Sequence, residues 1–162
     1  MDLYFVRHAT AASKLTWKDD DDLRPLTRSG RRRFQSAASS LIAAGLLDPE
    51  LVVTSPLVRA RQTAELLSAS LAVEIPIVQD ARLGHELDLA ALDSLLSEYR
   101  DVSKLAIVGH NPSFVTVLSE VIGGADLEMR KGAVALVRVS DPTVARGCLL
   151  WLAPPMFFRQ PV

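Results

Sequence analysis

The stretch Leu3-Tyr4-Phe5-Val6-Arg7-His8-Ala9-Thr10 decides how the rest of the chain is read. Four apolar residues run without alternation and stop abruptly at Arg7-His8. That pattern suits a short parallel strand, buried on both faces, that delivers polar residues at its carboxyl end. A second stretch repeats it. Lys104 to Val108 is the clearest buried strand, and it meets Gly109-His110-Asn111-Pro112. There Asn111 can cap and Pro112 can start a helix running to about Ile122, which Gly123-Gly124 would close.

The residues between these strands alternate in the same way. Ala11 to Leu26 holds the acidic run Asp19 to Asp22 and Pro25, which predicts a surface loop. Thr27 is placed to cap a helix in which Phe34, Ala37, Ala38, Leu41 and Ile42 recur at helical spacing, with Gly45 as its stop. Leu51-Val52-Val53 reads as a strand, and Ser55-Pro56 as the cap and first residue of a helix with Leu66, Leu67 and Leu71 on its apolar face. Ile75 to Val78 predicts a further strand, and Leu89, Leu92, Leu95, Leu96 and Tyr99 an amphipathic helix. Ala133 to Val139 and Cys148 to Leu152 lie close enough to pair antiparallel, with Pro154-Pro155 ending the sheet. The alternation predicts an α/β fold, a three-layer α/β/α sandwich with a mostly parallel central sheet.

Composition narrows the function classes. With 162 residues, 49% of them hydrophobic, the expectation is one domain over residues 1–162 whose core needs neither disulfide nor structural metal. A formal charge of -1 gives no global reason to expect nucleic acid or an anionic membrane as partner, so any anion site must be local. The single cysteine, Cys148, sits in an apolar run and is expected to be a buried core thiol. No basic leader followed by a long apolar stretch is present, and the expected location is cytoplasmic.

Three polar segments, Arg7-His8, Ser55 to Arg59 and His110-Asn111, each fall just after a predicted strand. Open α/β sheets place their ligands at the carboxyl ends of strands, so the three point to one crevice. A dinucleotide site is excluded, because no glycine-rich phosphate turn follows the first strand.

These residues also carry a resemblance. Arg7-His8-Ala9 is similar to the Arg-His-Gly signature of the histidine phosphatase superfamily, with Ala9 where that family usually has glycine. Arg24-Pro25-Leu26-Thr27-Arg28-Ser29-Gly30, Ser55-Pro56-Leu57-Val58-Arg59-Ala60-Arg61-Gln62-Thr63-Ala64 and Val108-Gly109-His110-Asn111-Pro112 resemble its later blocks, in the expected order. The short length and the Arg-Pro-Leu-Thr block are most similar to the small branch of SixA-type phosphohistidine phosphatases. The resemblance implies a phosphoglycerate mutase-like fold and a metal-independent phosphatase without cofactor. It implies that His8 is the nucleophile, that Arg7 and Arg59 bind phosphate oxygens, and that His110, with Asn111 beside it, completes the pocket.

The residue types suit those roles. A phosphoryl group in flight spreads negative charge over its equatorial oxygens, and guanidiniums answer it with a matching fork of donors. An imidazole attacks only through an unprotonated nitrogen, so Arg7 and Arg59 should disfavour the charged form of His8. Its second nitrogen should donate to a fixed acceptor, such as a backbone carbonyl, and His110 would serve best as a charged donor to bound phosphate.

Arg61 is assigned to the surface or to a supporting position, and Gln62 and Thr63, on the Arg59 face, to orienting or packing. Asp19 to Asp22 lacks the spacing of a calcium loop and is expected to be solvated, although Asp22 through Thr27 could border the pocket. For a general acid, many superfamily members use a carboxylate after the third strand; here Arg82-Leu83-Gly84-His85-Glu86 offers Glu86 and His85. The chain is too short for the helical lids of larger relatives, which implies an open site. The implied substrate is phosphohistidine on a partner protein, with a small phosphomonoester as the alternative. A catalytically silent phospho-ligand module is the rival class, and the retained nucleophile and arginines argue against it.

Overall fold

The computed structural model describes residues 1–155. A six-stranded sheet forms its centre. The strands are β1 (Asp2–Arg7), β2 (Leu51–Thr54), β3 (Ile77–Gln79), β4 (Lys104–Gly109), β5 (Val134–Asp141) and β6 (Arg146–Ala153), in the order β3-β2-β4-β1-β5-β6. β1 to β4 run parallel to their neighbours in that group, whereas β5 pairs antiparallel with β1, and β6 antiparallel with β5. The fold is the mixed α/β sandwich expected of the residue pattern.

β1 and β4 read as unbroken apolar runs because both faces of the sheet are covered. Leu3 and Phe5 face one apolar cluster, Tyr4 and Val6 the other, and all four are buried. Helices α1 (Arg28–Ala43) and α2 (Val58–Ser68) cover the Tyr4 side through Phe34, Leu41, Ala60, Ala64 and Leu67. Helices α3 (Leu89–Glu98) and α4 (Ser113–Val121) cover the opposite side through Leu92, Leu95, Leu96, Phe114, Val117 and Leu118. Thr27 caps α1 by accepting a hydrogen bond from the Gly30 amide at 2.9 Å, and Gly45 follows with a φ of 69°, a left-handed turn that glycine adopts without a Cβ penalty. Gly30 is fixed by close approach, since a Cβ there would sit 2.1 Å from the Thr10 carbonyl oxygen. That contact presses the start of α1 against the segment leaving β1.

Several local expectations need correction. Ser55-Pro56 does not start α2; Leu57 is its N-cap, with no side-chain cap bond. The Ser55 hydroxyl accepts from the Leu57 amide and also meets His110, so it closes the turn between β2 and α2. Leu71 lies beyond that helix. Asn111 does not cap α4, because its amide donates to the Met129 carbonyl. β3 begins at Ile77, two residues later than the pattern predicts, since the Ile75 backbone is tied at both N–H and C=O to the Ser68 hydroxyl. Cys148 is exposed rather than buried. It lies on the edge strand β6, whose alternate residues Arg146, Cys148 and Leu150 face outward. Among the described residues, no helix is long and apolar enough to cross a membrane.

Candidate active site

The carboxyl ends of β1, β4 and β2 are tied side by side. His8 N–H donates to the Gly109 carbonyl at 3.0 Å and Ser55 N–H to the Val108 carbonyl at 3.0 Å. His8, Ser55 and His110 are thereby held next to one another. Gly109 is required by packing, because a Cβ there would collide with the Phe114 ring at 2.1 Å.

His8 Nδ1 lies 2.7 Å from the carbonyl oxygen of Ala9. A carbonyl can only accept, so Nδ1 carries the hydrogen and Nε2 presents a lone pair. α2 reinforces this aim. The Thr63 hydroxyl accepts from the Ala9 amide at 3.0 Å and donates to the Arg59 carbonyl at 2.7 Å, linking the helix that carries Arg59 to the residue that orients His8. Gln62 takes part similarly, accepting from the Leu26 amide at 2.8 Å.

Cationic and imidazole groups surround His8. The His110 ring lies 5.0 Å from it, and His110 Nε2 shares a 2.8 Å hydrogen bond with the Ser55 hydroxyl. Arg7 and Asn111 both donate to the Met129 carbonyl, at 2.6 and 3.1 Å. Arg59 is buried, and it donates to the Asp21 backbone carbonyl at 2.7 Å while pairing with the Asp21 carboxylate at 3.1 Å. Even so, Arg7 Nε, Arg59 Nε and His110 Nδ1 are buried with no protein hydrogen-bond partner. Buried polar atoms normally have partners, so donors left over around a lone-pair-bearing imidazole describe a site for an oxyanion.

Burial first, then neighbouring charge, keeps the imidazoles of His8 and His110 neutral. His8 is pushed down to about 3, chiefly by burial, with the charges of Arg59 and Arg7 adding to it against the opposing bond from the Ala9 carbonyl. Sequence reasoning credited the arginines; desolvation by the surrounding core is the larger cause. His110 is also depressed, by burial first and then by His8 and Arg59. A dianionic phosphate between these groups would reverse the balance for His110 and favour its charged, donating form.

The remaining sequence candidates separate. Arg61 is half-buried, and its Nε too is buried without a protein hydrogen-bond partner. His85 reaches the pocket: its ring stacks on His110 at 5.8 Å with 30° between planes, and its Nε2 lies 3.0 Å from Asp22 Oδ1. Glu86 is exposed and makes no hydrogen bond to the pocket among the described residues. All three histidines of the chain therefore line one site.

Sequence reasoning missed Asp21 and the Met129 carbonyl. Asp21 opens a short 3-10 turn (Asp21–Leu23), and its carboxylate, held low by the Arg24 hydrogen bond, joins Arg24 to Arg59. The acidic run carried a signal, yet which of its four residues turns inward is set by the turn. Asp21, Asp22 and His85 bring potential metal-ligand atoms within 4.8 Å of one another. Two guanidiniums already neutralise Asp21, which disfavours a cation there.

The family model for the histidine phosphatase superfamily (branch 1) matches residues 3–98. An uncharacterized protein of Picosynechococcus is 40% identical over 114 residues, covering 69% of this chain and 67% of that protein. Among solved structures, the protein histidine phosphatase SixA complexed with tungstate superposes with a TM-score of 0.85 at 24% identity, covering 98% of this chain and 100% of its own. A candidate phosphohistidine phosphatase SixA from Agrobacterium tumefaciens gives 0.80 at 25% identity, over 95% of this chain and 97% of its own. The alpha-ribazole phosphatase of Shigella flexneri gives 0.74 at 18% identity, over 96% of this chain and 97% of its own. With β1 through α3 matched, the chain belongs to the histidine phosphatase superfamily, branch 1, with a SixA-like fold.

Proposed function

We propose that the protein is a phosphatase that passes the phosphoryl group through His8 Nε2, with phosphohistidine on a cytoplasmic partner protein as substrate. The observation that carries this reading is the aimed, neutral His8 beside unpartnered cationic donors. Nε2 attacks phosphorus in line as the bond to the leaving nitrogen breaks, giving a phosphorylated His8 held by Arg7, Arg59 and His110. Water then attacks that phosphorus and releases inorganic phosphate, restoring His8. Charge on the transferring group is met by donors already in place, so little reorganisation accompanies the step. Every group in this scheme is supplied by the chain itself, without metal or cofactor.

The protein substrate is supported by the open rim, where His85 and Asp22 are more than half exposed. It is also supported by the likeness to SixA, described as a protein histidine phosphatase. The fold likeness to an alpha-ribazole phosphatase keeps small phosphomonoesters as the second class to assay.

Covalent catalysis requires phosphate to reside on His8 itself. Alkaline quenching during turnover should trap base-stable, acid-labile label on the peptide containing Arg7-His8, and His8→Ala should abolish both label and turnover with an unchanged circular dichroism spectrum. Label on His110 would make that residue the nucleophile, and substantial unlabelled turnover by His8→Ala would establish direct attack by water.

A further inference from the structure

The loop between β1 and α1 and the loop after β3 meet over the pocket. Asp21 from the first grips Arg59 at its base, while the adjacent Asp22 holds His85 Nε2 at 3.0 Å. His85 is itself anchored from behind. Arg82, three residues earlier, is clamped by Asp80 at 2.5 Å and Glu98 at 2.6 Å, which fixes the 3-10 turn (Ala81–Leu83) that presents it. The three imidazoles then form a row in which two are buried and the third, His85, is exposed. His8 lies at the buried end, His110 is stacked between, and His85 stands at the mouth. In an in-line transfer the leaving group departs from the side of phosphorus away from His8, toward solvent.

We infer that His85 is the proton donor to the leaving group and that Asp22 is its positioning residue, which equips this pocket to cleave phosphomonoesters as well as phosphoramidates. The inference rests on the His8 phosphatase reading and adds a substrate class to it. A histidine nitrogen leaves readily, but an alkoxide needs a proton as its bond breaks. Asp22 accepts from Nε2–H and sets the tautomer and ring orientation, the arrangement by which a carboxylate commonly aims an imidazole. As His8 Nε2 bonds to phosphorus, the P–O electron pair goes to the leaving oxygen, which takes the Nδ1 proton of the His85 imidazolium and departs as an alcohol, leaving His85 neutral with its Nε2–H still on Asp22. In the second half, water attacks phosphorus and returns a proton to neutral His85 Nδ1 as the P–N bond to His8 breaks. Atoms and protons balance over the cycle: one water is consumed, and alcohol and phosphate are released. Glu86, the other candidate on this loop, is exposed and makes no hydrogen bond or ion pair among the described residues.

The test compares three substrates on the full chain: an alkyl phosphate, p-nitrophenyl phosphate and phosphoimidazole. His85→Gln should lower kcat/KM for the alkyl ester by on the order of 10²-fold or more, with much smaller losses for the other two, so that rate becomes steeply dependent on leaving-group basicity. Asp22→Asn should lower kcat for the alkyl ester with KM unchanged, and Asp22→Glu should restore part of it. Retained thermal protection by tungstate shows that the phosphate pocket of each variant is intact. Equal losses on all three substrates would make His85 structural, and an unimpaired alkyl reaction in His85→Gln would remove it from proton transfer; either overturns the proposal. So does a wild type that cleaves the aryl ester and phosphoimidazole but not the alkyl ester. A wild type that cleaves none of the three and takes no label on His8 overturns the phosphatase reading itself.

Discussion

The base and the rim of this pocket are built on opposite plans. At the base, His8, Arg59 and His110 are 6%, 4% and 3% exposed and emerge directly from β1, α2 and β4, where the core fixes their backbones. At the rim, Asp22 and His85 are 53% and 56% exposed and sit on short turns that one another's side chains hold. Electrostatics follow the same division. Burial drives the imidazoles of His8 and His110 to the neutral form. The atoms proposed to make bonds thus sit where the core holds the backbone, while those proposed to face the substrate's variable part sit on exposed turns where residues can change without disturbing the core.

The contrast can be broken most sharply at Arg59. Removing this buried guanidinium should cost on the order of 10²-fold to 10³-fold in kcat, as for loss of one preorganised donor to a developing charge. Arg61→Ala should lose only a small fraction of that, and Arg59→Lys should rescue poorly because an ammonium lacks the planar fork. Steady-state kinetics on the three variants decide it; equal losses at Arg59 and Arg61 would put the functional face of α2 elsewhere.

The neutral base also has a stability signature. Folded His8 is held at about 3 against an ordinary value of 6.5. Below pH about 6.5 the unfolded chain takes up a proton that the folded chain refuses until near pH 3, so His8 makes stability fall as pH drops through that window. His110 acts in the same direction. Thermal unfolding followed from pH 7 to pH 4 should show a decline in Tm that is shallower in His8→Gln. An identical slope in the variant would mean that His8 is not the buried neutral group described here.

At the rim the effects should be smaller and can have the opposite sign. Asp21 competes with a bound oxyanion for Arg59. A partly exposed ion pair contributes about 1 kcal/mol or less, so Asp21→Asn should tighten tungstate or vanadate binding by up to about fivefold, measurable by calorimetry. Weaker binding would show that Asp21 orients Arg59 rather than opposing the ligand. Chelation should change least of all, and EDTA is expected to leave turnover unaltered; loss restored by zinc or magnesium would bring a cation to Asp21, Asp22 and His85.

How much was legible in the residues alone follows the same base-to-rim gradient. The unbroken apolar runs Leu3 to Val6 and Leu105 to Val108 announce parallel strands covered on both faces, because only burial on both sides removes the need for alternation. Polar residues set immediately behind those runs must then gather at one end of the sheet, which made Arg7, His8 and His110 visible as a group; Arg59 was distinguished from Arg61 only by the family resemblance. Cys148 was misread because an apolar run does not distinguish a central strand from an edge, and only the strand order places β6 outermost. Ser55 was misread as a helix cap because its hydroxyl has two candidate partners, and His110, the distant one, is 55 residues away. The rim was hidden for the same reason. Asp21 meets Arg59 across 38 residues and Asp22 meets His85 across 63, and nothing in local spacing encodes such encounters. Strand periodicity and turn chemistry act between neighbours in sequence and so can be read there. Which carboxylate of four faces a guanidinium, and which of His85 and Glu86 faces the pocket, depends on how two turns lie against each other once the sheet has brought their ends together.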